Sequence, residues 1–179
     1  MKSLYILFIL LLLASCKQAD KRDTTKEQAD ALNDVSFKAD DLQANANFIV
    51  KIYEQGLFEM KSAQLADSVS HSIEIKSLAK IVSDDYGTIK GRLTDIASLN
   101  KIILPDSLGV EKRINYNNLL STKSFDKDYI RQVMKGNEET LAQFESMKTA
   151  TTDTNIVNMI NEMTPILNEH MKRAAVLLK

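Results

Sequence analysis

The sequence carries two histidines and one cysteine, so very few side chains are available for metal or nucleophilic chemistry. His71 sits in the polar stretch "DSVSHS" and reads as a solvated turn residue. His170 is different. In "TPILNEHMKRAAVLLK" it occupies a place where the apolar spacing asks for a core residue. Tyr86 and Asn137 interrupt two other apolar stripes in the same way, and Glu59 interrupts a third between Gly56 and Ala63, although a shifted reading through Tyr53, Leu57 and Met60 puts it on the flank. A carboxylate, a phenol, an amide and an imidazole can form a buried hydrogen-bonded network, or they can line a small-ligand site. Glu59, Asp85 and His170 are also a minimal oxygen and nitrogen set for a single metal ion. A dinuclear site of the ferritin-like kind asks for more, namely a Glu from each of two helices and a Glu-x-x-His pair from each of the other two. Position 167 is Leu, and no second histidine falls inside a helical pattern. The expected arrangement is therefore a structural network in which His170 hydrogen-bonds Glu59, with no metal and no cofactor.

Other chemistries find less support. Asp84-Asp85 and Glu138-Glu139 are adjacent carboxylates, which point in different directions on a helix and make poor acid/base pairs. The chain contains no phosphate-binding glycine loop, and two histidines allow no Ser-His-Asp arrangement to be assigned. Lys and Arg number 23 against 24 Asp and Glu, with no basic block, which argues against a nucleic-acid partner.

The polar residues must be positioned by helices. Apolar residues recur at alternating spacings of three and four, the period of amphipathic helices packed on one another. The spacing predicts a first helix over about Leu42 to Ala66, bearing Ile49, Ile52, Gly56, Ala63 and Ala66. Ser70 or Ser72 caps a second helix with Ile75, Ala79, Val82, Ile89, Leu93, Ile96 and Ile103, stopped at Pro105. A short helix over about Leu108 to Leu120 follows. A third long helix begins near Phe125, with Ile130, Met134, Leu141 and Phe144 inward. Asp153 or Thr154 caps the fourth, whose stripe is Ile156, Ile160, Met163, Leu167, Ala174 and Leu177, kinked rather than stopped at Pro165. Short turns within each half and a long connection between halves predict an all-α, ferritin-like four-helix bundle, its crossover carrying the short helix. Gly87, Gly91 and Gly136 mark a cleft or tight helix crossings.

The first forty residues read as an address and a tether. Lys2 and the apolar run "LYILFILLLLA" make a signal segment too short to span a membrane comfortably. "LASC" then resembles the lipobox of bacterial lipoproteins. That resemblance implies a signal peptide over 1–15, cleavage before Cys16, diacylglycerol on its thiol and acylation of the new amino terminus. Several acyl chains make such anchoring stable. Residues 16–41 are expected to be a flexible tether and 42–179 a domain that folds alone. A tether of that length spans roughly 25–30 Å.

"GLFEMKSAQLA", "AKIVSDDY", "LPDSL", "FDKDYIRQVM" and "TPILNEHMKRA", in this order and spacing, resemble landmarks of the domain of unknown function 4142 family over about residues 44 to 178. The resemblance implies a bacterial envelope protein with a ferritin-like bundle. In that family an Asp-His pair commonly closes the second-helix landmark and another lies in the third helix. Here Tyr86 and Asn137 stand at those histidine positions, while Glu59 and His170 match the family's glutamate and fourth-helix histidine. The expected function is a lipid-anchored cell-envelope protein facing the periplasm or the cell surface, with a non-enzymatic structural, stress-related or interaction role and an envelope protein as partner. The alternative is a small-ligand or metal-binding protein with redox activity.

Overall fold

The computed structural model describes residues 24–37 and 40–178. The signal segment, Cys16 and its lipid site lie outside the described residues. Among these residues the protein is all-α, with six helices and no strand: α1 (Lys26–Ser36), α2 (Asp40–Val69), α3 (Ile73–Asn100), α4 (Val110–Ser121), α5 (Phe125–Ala150) and α6 (Thr154–Leu177). None of them is long and apolar enough to cross a membrane.

The four long helices begin and end where local chemistry directs. Ser72 caps α3 by accepting from the Ile75 N–H at 3.2 Å, and Asp153 caps α6 by accepting from Asn155 at 2.8 Å. Each cap satisfies one of the N–H groups that a helix start leaves without a partner. α3 ends before Pro105. Lys101 adopts a left-handed conformation (φ 58°), and its N–H returns to Ala97 and Ser98 carbonyls. Ile103, expected on the second helix, therefore lies in the connection. α6 runs through Pro165 without stopping, because the proline lies on the exposed face, where the carbonyl that loses its partner can reach water.

α2 packs chiefly on α3 and α5, and α6 packs on the same two. α2 and α6 thus face each other only across the diagonal. Between them lies one apolar core, with Ile49, Ile52, Ile89, Leu93, Phe144, Ile156, Ile160 and Leu167 fully buried. α4 leans on α2 and α5 from outside. Its start is held by two carboxylates from other helices: Glu54 accepts from the Gly109 N–H at 2.8 Å and Glu27 from Val110 at 2.9 Å. A carboxylate at a helix start is favoured by the dipole as well as by the bond. The bond to Val110 holds the Glu27 carboxyl below its usual range, whereas burial raises that of Glu54 despite its bond to Gly109.

The expected tether is corrected by α1. Thr25 and Gln28 form a reciprocal capping box, and Ala29 and Asn33 are fully buried. The Asn33 amide pairs with the Ile103 backbone in both directions, each bond 2.9 Å, and Thr24 accepts from Asp106 at 2.7 Å. The ordered domain thus begins by residue 24 rather than 42. Apolar periodicity could not reveal this, since α1 docks through an amide and a backbone edge rather than an apolar stripe.

A fragment starting at residue 42 should melt about 5 °C or more below one starting at residue 24. It loses several tertiary hydrogen bonds worth roughly 1 kcal/mol each in a domain of this size. Equal melting temperatures would show that the α1 contacts contribute nothing.

Candidate functional site

Tyr86, Asn137 and His170 are fully buried, as their places on the stripes required, and Glu59 is fully buried too, on the stripe rather than its flank. They do not form one network. The Tyr86 hydroxyl donates to Asn137 Oδ1 at 3.0 Å, and Asn137 Nδ2 donates to the Val133 carbonyl at 2.7 Å. The expected bond between His170 and Glu59 is not made. His170 Nε2 instead lies 2.8 Å from Asp85 Oδ2, a carboxylate that remains partly exposed. The reason is topological. α6 adjoins α3, which carries Asp85, but lies diagonal to α2, which carries Glu59. The Tyr86 and His170 rings stand 6.0 Å apart, so the two interactions are neighbours without sharing a hydrogen bond.

Glu59 is held by two residues that the periodicity did not single out. Gln55 Nε2, one turn earlier on α2, donates to Glu59 Oε1 at 2.7 Å, and Gln132 Nε2 from α5 donates to the same oxygen at 2.8 Å. The i, i+4 spacing of Gln55 and Glu59 was legible, but the contribution of Gln132 was not. Gly136 makes the approach feasible, since a Cβ there would collide with Glu59 Oε1 and Gln55 Nε2. A Cβ at Gly87 or Gly91 would meet no other atom within 4 Å, so neither marks a tight crossing. Among the described residues, Glu59 Oε2, Gln132 Oε1, Ser62 Oγ, Tyr129 Oη and His170 Nδ1 are buried without a partner.

This setting controls the charge on Glu59. Burial pushes its carboxyl up to about 7, against the lowering effect of the Gln132 and Gln55 amides and of Lys112, while Glu139 adds to the rise. Burial, and then the nearby Glu59 charge, also hold the Tyr86 and Tyr129 phenols above their ordinary value. Outside the core, a groove of about 370 Å³ lies between α2, α4 and α5, with Gln55, Gln132 and Gly136 among its lining residues.

Asp85 and His170 meet, but Glu59 does not join them. Among the described residues no three of His, Cys, Asp and Glu come together in a metal-holding group.

Because the folded-state value of Glu59 lies above the unfolded 4.5, its stabilising effect is complete below about pH 4.5 and is lost as pH rises through about 7. Glu59→Gln should remove this dependence. Relative to the variant, the wild type should lose about 3 kcal/mol between pH 4 and pH 8 in urea unfolding. Parallel pH profiles would contradict the raised value.

Comparison with known proteins agrees with this architecture. Two solved structures share the fold: CopM in the Cu(II)-bound form, 16% identical with a TM-score of 0.64, and CopM in the Ag-bound form obtained by co-crystallization, 17% identical with a TM-score of 0.61. The likeness covers 74% of this chain and 94% of the first, and 73% and 91% for the second. No curated protein matches the sequence. The model of the family described as "Domain of unknown function (DUF4142)" matches residues 23–177, a span that includes α1 and every long helix. This chain belongs to the DUF4142 family.

Proposed function

We propose that the protein is a lipoprotein of the bacterial cell envelope, anchored through Cys16, whose ferritin-like four-helix bundle serves a non-enzymatic structural, stress-related or interaction role. The observation that carries this reading is how the buried polar residues are used. Tyr86–Asn137 joins α3 to α5, Asp85–His170 joins α3 to α6, and Gln55–Glu59–Gln132 joins α2 to α5. Each polar set links a different pair of helices, and none presents two reactive groups to one point of the surface. Buried polar pairs of this kind fix helix register at some cost in stability. Anchoring rests on "LASC" directly after the apolar run, and the partner is an envelope protein met at the membrane surface.

One observation favours a second reading, metal handling. The solved relatives in fold were bound to copper and silver, and in this chain the Asp85–His170 pair offers an imidazole beside a partly exposed carboxylate.

Two measurements test these readings. Cys16→Ala should abolish incorporation of labelled fatty acid and leave unprocessed precursor, and continued labelling would overturn the anchor. After exposure to Cu(II) or Ag(I) and dialysis, the protein should keep no stoichiometric metal. One equivalent retained by the wild type and lost in His170→Ala would establish the second reading instead.

A further inference from the structure

The groove between α2, α4 and α5 has features that helix packing alone does not require. Its volume, about 370 Å³, falls within the ordinary range of small-molecule sites. It exists because α4 is held at its start by Glu54 and Glu27, and so rests against α2 and α5 without filling the space between them. Leu119 and Phe58 give it an apolar stretch, and Lys112 and Arg131 stand along its edge.

Gln55, Gln132 and Gly136 line its inner wall, and Glu59 lies directly behind them without lining the groove itself. Glu59 is fully buried, and both amide contacts fall on one of its oxygens, leaving Oε2 with none. Gln132 spends its N–H on Glu59, so its carbonyl oxygen is buried without a donor. Two acceptors lacking donors thus belong to one hydrogen-bonded unit, and no side-chain cation bonds the carboxylate among the described residues. A structural amide at position 59 would satisfy Gln55 and Gln132 as well, without a charge that is costly to bury. The complement of this unit is a positively charged group with several N–H donors, as a primary ammonium has.

The outer part is lined by Lys112, Arg131 and Lys135 together with Glu111, Asp128 and Glu139. Lys112 Nζ stands 5.2 Å over the Phe58 ring. Arg131 pairs with Asp128 at 3.2 Å and Lys135 with Glu139 at 3.7 Å. Such exposed pairs are weak and can exchange partners for a ligand anion. Glu111 is the remaining acidic residue at this edge. Gln132 is only half-buried, so its side chain can move aside by the fast rotamer motions of surface residues and open Glu59 to the groove.

We infer that this groove binds a small zwitterion once Gln132 has turned aside, with a primary ammonium on Glu59, a short apolar spacer along Phe58 and Leu119, and a carboxylate at Lys112 and Arg131. The site is separate from the Asp85–His170 pair and requires no enzymatic activity.

Titration calorimetry of the full chain at about pH 8 with three probes tests this. 6-Aminohexanoate carries both charges, hexanoate lacks the amine and hexylamine lacks the carboxylate. 6-Aminohexanoate should saturate one site, at least about tenfold more tightly than either of the others. Glu59→Gln should weaken it about tenfold or more while keeping a cooperative melt, and Lys112→Met should reduce it to the level of hexylamine. No saturation by about 10 mM, equal binding of either single-charge probe, or unchanged affinity in Glu59→Gln would each overturn the proposal.

Discussion

A single carboxylate buried between two helices sets much of this structure. Glu59 on α2 accepts from Gln55 on its own helix and from Gln132 on α5, and it can do so only because Gly136 presents no side chain. Those contacts fix how closely α2 and α5 approach and in what register. They also leave the carboxylate in a low-dielectric setting, with no bonded cation among the described residues, where its charged form is disfavoured. The two phenols behind it, Tyr86 and Tyr129, are in turn kept neutral by burial and by that charge. Burial, register and ionisation at this point are consequences of one arrangement.

The segments outside the four long helices are tied to the same helices. α4 docks over α2 and α5 because its first N–H groups reach Glu54 and Glu27, one from α2 and one from α1. α1 in turn holds the connection after α3 through Asn33 and Thr24. The amino-terminal helix, the crossover and the Gln55–Glu59–Gln132 cluster are therefore linked through α2 and α4. Elsewhere Asp85 of α3 meets His170 of α6. Whatever the protein recognises, these two places offer different chemistry.

Much of this was legible in the sequence, because helix spacing, caps and turn residues act locally. Ser72 and Asp153 cap as their types suggest, and the stripes through Ile89, Leu93, Ile156 and Leu167 are buried. Burial of Tyr86, Asn137 and His170 followed from their places on those stripes, while that of Glu59 decides between the stripe and the flank. Their partners did not follow, since partnership depends on which helices adjoin. His170 was matched to Glu59 across a diagonal, when the adjoining helix offered Asp85. Gln132 had no signal, being a half-buried residue of an ordinary helical face. The helix at 26–36 was read as tether because its docking uses polar groups, which leave no apolar period to count.

The central claim is that Glu59 is a buried carboxylate whose charge is suppressed by its surroundings. Its side-chain carboxyl carbon, selectively labelled with ¹³C, can be followed directly by NMR through a pH titration of the folded protein. The account predicts a single transition near pH 7, shifted well above an exposed glutamate. A midpoint near the ordinary value of 4.5 would contradict it, and would mean that Glu59 is solvated or paired with a cation.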